Sequence, residues 1–497
     1  RVIMMANTPD DFRKAEAEID AELKRKGKKL EERTETEFKN RVRKVFDENF
    51  KTKDINAFND LQKGYQTAIS LVPNINYSLQ DIAGLCHSIS DYDNRHLIWG
   101  FFISALINKV IKDGETITIK PKKYVLENNL GVFLERGTLI LDGHVGMNAG
   151  YGLRGGKLVI RGDTEYCYGN CMEKGELIIE GSVKGPGFNS VKGGKGVIKS
   201  IDEKGWHDYG PGDGIGCGQQ GGLVEILCDV PTTVKGIGWE QKDGELRVHG
   251  NVSCRYINYG QIGGKTHIKG NVIAKGDSVL IGNFKEGGET IIDGDCIETD
   301  WGHYKNEIFV GSKQKGGLTL VRGSIHGGIA FDGYPGARII IEKSVYGNVG
   351  DFQTAGTKVI IKGSVTGNVG STVMDIDCTI DGDVRGNVGF GFGNFSSGKR
   401  DGKIEVKGTV YGNVGDNMHF QYLGAFANCQ HSWPRIYVGG DVTGTAGDGM
   451  RFGEIHVKGR IGQVGESFGG GVYNNGVNVT RIPVKNRFAN WLTKKLG

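Results

Sequence analysis

Short alternations of apolar and polar residues recur along most of this chain, and a glycine follows each of them. Residues 157–162 read Lys-Leu-Val-Ile-Arg-Gly, and residues 176–181 read Glu-Leu-Ile-Ile-Glu-Gly, which is the same pattern in the next repeat. Alternation with a period of two predicts strands that have one face in a core and one face in water. The glycines that mark the repeat are Gly143, Gly162, Gly181, Gly250, Gly270, Gly294, Gly323, Gly363, Gly382, Gly408, Gly440 and Gly459.

The first three of these glycines follow one another at equal steps, and a short fixed period indicates one small unit that buries its apolar face only against its neighbours. After its strand, each repeat has fewer than about ten residues left for turns and further strands. This is too few for the helix of a parallel βαβ unit. We therefore predict a parallel β-helix over residues 114–480, with roughly 15 to 18 coils spaced about 4.8 Å apart. Its repeat glycines should lie in files along the axis. Residues 182–248 are irregular, and whether they form full coils is an open question.

Asparagine recurs at one place in the phrase Val-x-Gly-Asn-Val-Gly, as Asn348, Asn368, Asn387 and Asn413. Asparagine tolerates the left-handed conformation better than other non-glycine residues. We therefore expect these residues at positive φ, with side chains stacked as an internal amide ladder.

Residues 1–113 differ in composition from the rest of the chain. Residues 1–53 are dense in charges of both signs, which predicts a charged helical arm that lies along the rod or reaches a partner. Residues 54–113 are predicted to form a small helical capping domain. Its apolar segment, Leu97–Ile111, is shorter than the roughly 20 residues that span a bilayer, so we expect a buried helix over the first coil. Residues 481–497 are predicted to form a C-terminal helical tail, a second cap.

Composition narrows the function classes. The chain has 497 residues, 38% of them hydrophobic, and a net charge of +4, too weak a field to indicate nucleic-acid binding. Nine cysteines at irregular spacing are typical of reduced thiols and favour the cytoplasm. No secretory leader is visible, although the chain begins at Arg1 and a leader removed upstream is an open alternative.

The sequence matches known cofactor-binding motifs only poorly. Residues 259–266 end like a phosphate-binding loop, but a strand follows them instead of a helix, and residues 210–218 lack the strand-to-helix turn of a dinucleotide site. Cys167 and Cys171 lie close together in the sequence, a weak candidate for half of a metal site, and ordinary packing of thiols is favoured. We predict no cofactor and no catalytic residue.

One acidic cluster could carry chemistry, because some β-helix proteins cleave polysaccharides with carboxylates on one rod face. It occurs where the repeat lengthens, between Gly294 and Gly323. An aromatic ring there could support a sugar. The alternative that we favour is a solvated strand face followed by a loop excursion. The cluster comprises Asp293, Asp295, Glu298, Asp300, Trp301 and His303.

Residues 145–181 resemble a known repeat. The stretches 145–162 and 166–181 align Gly150 with Gly169 and Gly156 with Gly175, and they are similar to the GXGXG repeat. That repeat occurs in the C-terminal domain of glutamate synthase large subunits and in the C subunit of formylmethanofuran dehydrogenase. The resemblance is good over two coils and loose after Gly181. It implies a right-handed β-helix with a structural, subunit-binding role, because in those enzymes the chemistry belongs to other domains or subunits.

The sequence therefore predicts a mostly β protein, a right-handed parallel β-helix with an N-terminal helical arm and a small helical domain. We expect a non-catalytic scaffold or subunit of a larger complex, with an oxidoreductase as one possibility. It would bind other protein subunits through the arm or a flat rod face, and a homo-oligomer is compatible with this. The alternatives are a self-assembling filament and a carbohydrate-active enzyme that uses Asp300 and its neighbours.

Overall fold

A computed structural model describes most of the chain from residue 61 onward. Before that point it describes Arg25, Glu37, Asn40 and Lys44, each in helical conformation. The described ranges are 61–72, 77–86, 96–121, 128–206, 214–275, 277–301, 304–305, 307–329, 336–350, 357–370, 376–389, 402–416, 418, 434–451, 453–467 and 469–482.

Within these ranges the elements are three helices and many short strands. The helices are α1 (Leu61–Leu71), α2 (Leu79–Cys86) and α3 (His96–Val110). The strands are β1 (Thr116–Ile119), β2 (Thr138–Leu141), β3 (Lys157–Ile160), β4 (Glu176–Val183), β5 (Lys195–Ile201), β6 (Gln220–Ile226), β7 (Gly236–Ile237), β8 (Asp243–Val248), β9 (Tyr256–Ile257), β10 (Lys265–Ile268), β11 (Val272–Ala274), β12 (Val279–Ile281), β13 (Glu289–Ile292), β14 (Cys296–Glu298), β15 (Asp300–Trp301), β16 (Tyr304–Lys305), β17 (Ile308–Val310), β18 (Leu318–Val321), β19 (Ile325–His326), β20 (Gly328–Ile329), β21 (Arg338–Ile341), β22 (Val345–Tyr346), β23 (Thr357–Ile361), β24 (Ile376–Ile380), β25 (Lys403–Val406), β26 (Arg435–Val438), β27 (Val442–Ala446), β28 (Glu454–Val457), β29 (Ile461–Val464), β30 (Gly471–Asn474) and β31 (Val477–Asn478).

The chain folds as a parallel β-helix, which confirms the predicted fold class. One long main sheet takes a strand from each coil and, over the described residues, has 18 strands. These strands run parallel except β31, which pairs antiparallel to β30 at the C-terminal end. The irregular stretch 182–248 contributes β5, β6 and β8 to the main sheet, so it does form coils.

Two further walls close each coil. One wall contains the ladder β11-β14-β19-β22, and the other contains β7-β9-β12-β17-β20. Single bridges extend both walls through the later coils, joining Val345 to Val365 and Val349 to Val369. Side chains that point inward from the three walls, mostly isoleucine, valine and leucine, form one continuous core. Each coil therefore buries its apolar side chains against the coils on either side.

Helix α3 lies across the first coil. The Ser104 hydroxyl donates to the carbonyl of Asn129 at 3.1 Å and accepts from the backbone N–H of Gly131 at 2.9 Å. The Asn108 amide donates to the carbonyl of Phe133 at 3.1 Å. These two polar residues, which interrupt the apolar segment, satisfy backbone groups that the end of a β-helix leaves without a next coil. None of the described helices is long and apolar enough to cross a bilayer.

The asparagine prediction is wrong in two respects. None of the four asparagines has positive φ, and the left-handed residue of the phrase is the glycine two places later, for example Gly389 at φ 73°. The side chains are exposed or half-buried, so the ladder is not internal. It is a ladder from side chain to backbone, in which Asn368 Oδ1 accepts from the N–H of Asn387 at 2.9 Å, and Asn387 Oδ1 accepts from the N–H of Asn413 at 2.9 Å.

Two predicted segments lie largely outside the described residues. They are the arm, residues 1–53, and the helical tail, residues 481–497, of which residues 483–497 are not described. At the start of the predicted tail, Arg481 forms a parallel bridge with Glu466 instead of a helical turn. The last coil therefore extends one residue into the predicted tail.

Candidate functional site

The structure brings the repeat glycines together in files along the axis. A Cβ atom on Gly162 would lie 2.3 Å from the carbonyl carbon of Gly143, and one on Gly181 would lie 2.3 Å from that of Gly162. The later repeat glycines approach the preceding coil in the same way. Lys343 takes the place of glycine between Gly323 and Gly363, and Cys228 takes it before Gly250. Glycine predominates here because, at the glycines from Gly162 onward, a Cβ would lie within about 2.8 Å of the backbone or a side chain of the preceding coil.

The residue after each file glycine often links its coil to the next. Asp163 Oδ1 accepts from the N–H of Ser182 at 2.9 Å, and Asp295 Oδ1 accepts from the N–H of Ser324 at 2.7 Å. Asp295, a member of the predicted carbohydrate cluster, therefore has a structural role.

The other described members of the acidic cluster also have partners. Asp293 lies between His267 and Arg322, with Nε2 of His267 at 2.8 Å and Nη1 of Arg322 at 2.5 Å. Glu298 Oε1 accepts from the N–H of Ile308 at 3.2 Å. Each of these three carboxylates therefore already has a hydrogen-bond or ion-pair partner within the fold.

The lengthened repeat between Gly294 and Gly323 contains a short β-hairpin that leaves the coil. Strands β15 and β16 pair antiparallel, with Asp300 opposite Lys305 and Trp301 opposite Tyr304. The side chains of Asp300 and Trp301, and the whole of His303, lie outside the described part of the chain. The excursion accounts for the extra length of the repeat.

Cys167 and Cys171 both occupy left-handed corner positions, at φ 63° and 58°. Within the described residues, no group of three or more histidine, cysteine or acidic side chains is arranged to hold a metal ion. Deeper thiols are enclosed in the core, where burial raises the pKa of Cys254 and Cys378 to about 12. Such thiols are packing residues at neutral pH.

The outer face of the main sheet carries an unexpected column of residues. At the middle of each strand one side chain points outward, and successive strands place these side chains in register. We call this set the central column. From the N-terminal end its first thirteen members are Thr118, Ile140, Val159, Ile178, Val197, Glu225, Arg247, His267, Ile291, Leu320, Ile340, Ile360 and Thr379, and it continues as Glu405, Tyr437, His456 and Tyr473.

The central column contains two apolar bands. Band 1 runs from Ile140 to Val197 and band 2 from Ile291 to Ile360, four aliphatic residues each. Val197 is 6% and Ile291 8% exposed, and the others are half-buried between charged neighbours. An outward strand position on one solvated face normally carries a polar residue, so eight aliphatic side chains in two rows depart from the usual pattern.

Charges line the central column on one side. We call these residues the trailing column, because each follows the last inward residue of its strand. Through the first five coils they are Lys120, Asp142, Arg161, Glu180 and Lys199, and from the ninth coil to the thirteenth they are Asp293, Arg322, Glu342, Lys362 and Asp381. Their charges alternate along the axis and pair between coils, for example Lys199 with Glu180 at 3.0 Å and Lys362 with Glu342 at 2.9 Å.

The middle coils have a polar interior that sequence reasoning missed. One inward file holds Leu134, Leu153, Met172 and Val191, and continues as Gln219, Gln241, Gln261, Lys285 and Gln314. These five polar side chains are 0% exposed. The first four form a connected network through Thr290, in which Gln261 donates to Gln241 Oε1 at 3.1 Å and the Thr290 hydroxyl donates to Gln261 Oε1 at 3.3 Å.

Lys285 is the charged group of this interior. Its Nζ donates to Thr290 Oγ1 at 3.0 Å and to the carbonyl of Leu318 at 2.5 Å, both neutral acceptors. Burial lowers the pKa of the amine to about 7, although Glu289 opposes the shift. Burial disfavours the charged form of an amine, and the neutral acceptors around Nζ offset little of that cost.

No family model matches the chain, and neither a curated protein nor a solved structure matches it.

Proposed function

We propose that this protein is a non-catalytic scaffold, a subunit that joins other protein chains into a larger assembly through the outer face of its main sheet. The observation that carries the proposal is the pair of apolar bands. Each band presents four aliphatic side chains in a row where an isolated rod would present polar ones. Covering them removes apolar surface from water, at about 25 cal/mol per Å².

The surroundings of the bands support this role. A protein interface typically has an apolar centre and a polar rim, and the trailing column supplies such a rim. Because its charges already pair between coils, a partner can cover the bands without leaving a lone buried charge. The resemblance to GXGXG repeats favours the same role, since those domains are structural parts of larger enzymes.

The ends of the rod give the filament alternative less support. Helix α3 occupies the first coil, and at the other end β31 turns back antiparallel along β30. Both contacts obstruct the coil-on-coil stacking that an end-to-end filament needs. The carbohydrate alternative has less support too, because Asp293, Asp295 and Glu298 are engaged in the fold.

The test is purification of the tagged chain from the cells that make it, followed by size-exclusion chromatography and mass spectrometry. The wild type should elute in an assembly larger than one chain. Val159→Glu, in band 1, should elute smaller, because it places a charge in the covered face. Tyr346→Glu is the matched control, since Tyr346 is 48% exposed on a different wall. Elution of the wild type as a single chain under all conditions would contradict the proposal.

A further inference from the structure

Over its first thirteen members the central column has nearly the same order of residue types in both directions from Arg247. The four members after Thr379, from Glu405 to Tyr473, have no counterpart. Glu225 and His267 lie one coil away on either side, then four aliphatic residues follow in each direction, then a threonine. The matching positions are Val197 with Ile291, Ile178 with Leu320, Val159 with Ile340, Ile140 with Ile360, and Thr118 with Thr379.

We infer that this face docks on the same face of a second copy of the chain, with the two rods antiparallel. This inference rests on the proposed function and identifies the chain that covers the bands. A two-fold interface uses one patch twice, so a residue on one side of the axis meets its matching residue on the other copy. An axis through Arg247, parallel to the strands, places band 1 of each copy on band 2 of the other. It also places Glu225 opposite His267.

The trailing column tests this arrangement independently. The same axis brings five pairs of charged residues face to face, and every pair is of opposite sign. The pairs are Lys120 with Asp381, Asp142 with Lys362, Arg161 with Glu342, Glu180 with Arg322, and Lys199 with Asp293. Electrostatic complementarity of this kind fixes the register of an interface.

Other arrangements lose this complementarity. Because the charges alternate from coil to coil, sliding one rod by a single coil places Arg161 opposite Arg322 and Glu180 opposite Asp293. Turning the rods parallel places the first residue of each strand opposite its own trailing residue. Lys195 would then face Lys199, and like charges would meet in most coils. A slide of two coils restores opposite signs, for example Glu180 opposite Lys362, but leaves only two of the four members of each band opposite aliphatic residues. The charges and the bands together therefore favour the antiparallel register centred on Arg247.

Three contacts oppose the arrangement, the first being His249, which follows the strand of Arg247 and meets His249 of the second copy. Near the axis Arg247 faces Arg247 and Glu245 faces Glu245, but within each chain these residues are paired at 2.6 Å, so two neutral pairs meet. Along the opposite rim Lys157 faces Arg338, whereas Lys195 faces Glu289. One repulsive rim contact is outweighed by six attractive ones.

The area is sufficient for a stable dimer. Thirteen coils at about 4.8 Å span about 58 Å, and three outward positions per strand span about 15 Å with their side chains. The face therefore covers roughly 900 Å² on each copy, close to the roughly 800 Å² that a standard interface buries per partner.

The first experiment measures the mass of the purified full chain by analytical ultracentrifugation at micromolar concentration. The wild type should sediment with the mass of two chains. Ile178→Lys puts a charge opposite Leu320 and should raise the dimer Kd at least about tenfold, while Tyr346→Lys should leave it unchanged. Circular dichroism of each variant checks that the β-helix is intact.

The second experiment tests the register by mixing charge variants. Glu180→Arg alone places like charges at both copies of the contact with Arg322, and Arg322→Glu alone does the same. A mixture of the two variants should form heterodimers, because both contacts are then complementary. Within one chain residues 180 and 322 lie six coils apart, about 29 Å, so rescue on mixing has no source inside a single chain.

The outcomes separate this inference from the proposed function. A wild type that sediments as a monomer, or a mixture that stays as weakly associated as its parts, overturns the antiparallel dimer. If such a monomer still binds another protein through the bands, with loss in Val159→Glu, the scaffold role stands and only self-docking fails. A monomer that binds nothing through the bands overturns both.

Discussion

Replacing Lys285 with glutamine should raise the free energy of unfolding at neutral pH. The amine is fully buried and is bonded to neutral oxygens of Thr290 and Leu318. Glutamine already occupies this file one coil to either side, at Gln261 and Gln314. The substitution therefore removes a buried ionisable group and keeps a side chain that can donate to the same oxygens.

The magnitude follows from the pKa of the amine. Burial lowers this pKa from the ordinary 10.5 to about 7, so between these values the unfolded chain binds the extra proton. Stability therefore falls as the pH drops from 10.5 to 7 and levels off below 7. At about 1.36 kcal/mol per pKa unit, the shift corresponds to about 5 kcal/mol at pH 6. Imperfect packing of glutamine offsets part of this, so we expect a net gain of about 2–4 kcal/mol.

The assay is urea unfolding of the wild type and Lys285→Gln, followed by circular dichroism from pH 6 to pH 9. Other groups titrate in both proteins, so the difference between the two curves isolates Lys285. That difference should shrink by about 2 kcal/mol between pH 7 and pH 9. Lys315→Gln is the matched control, because Lys315 is half exposed and pairs with Glu286 at 3.3 Å. Its effect should stay below about 1 kcal/mol.

Parallel pH curves for the wild type and Lys285→Gln would refute the reasoning, because they would show that Lys285 titrates alike in the folded and unfolded chain. A rod of stacked coils can also unfold in steps, which would broaden the transition. An equal slope of the unfolding free energy against urea concentration in both proteins checks that the same part of the chain unfolds in each.

Two further changes test how coils join. Gly162→Ala should lower the free energy of unfolding by about 2–4 kcal/mol in thermal unfolding, because its Cβ would lie 2.3 Å from a backbone carbonyl. Gly476→Asn is the control, since Gly476 has positive φ and open space around it, and it should change this free energy by less than about 0.5 kcal/mol. Ser104→Ala should lower the free energy of unfolding by about 1–3 kcal/mol and speed hydrogen exchange at Gly131, because the Gly131 N–H loses its acceptor. Ser70→Ala, at an exposed serine, is the control. Exchange at Gly131 that is equal in the two variants would contradict the capping contact.

The architecture was predictable because the coil imposes local rules. Where the backbones of successive coils lie closest, glycine is strongly favoured, so the spacing of Gly143, Gly162 and Gly181 gives the length of a coil directly. Alternation then shows which residues point inward. The conformation of Asn387 was not predictable in the same way. Its side chain accepts a hydrogen bond from the next coil, and it does so from a backbone that does not have positive φ.

The polar interior was missed for a different reason. Lys285 lies in a corner between strands, where no alternation indicates which way a side chain points. Its neighbours in the file are Gln261 on the preceding coil and Gln314 on the following one, and the two steps between them are unequal. Because these coils differ in length, the sequence does not align the three residues. The file is defined only by the backbone hydrogen bonds between coils.

The symmetric face and the polar interior meet in the same coils. Gln219 and Gln241 precede the strands that carry Glu225 and Arg247, so the rod is polar inside and outside around the inferred two-fold axis. In a stack that is stabilised by contacts between neighbouring coils, such a section has less apolar surface to hold it together. A second copy that binds both bands would bridge this section from outside and add binding energy to the folded state. The coils with the least apolar surface would then lie at the two-fold axis of the dimer. Separating the dimer should therefore increase hydrogen exchange first in residues 219–268.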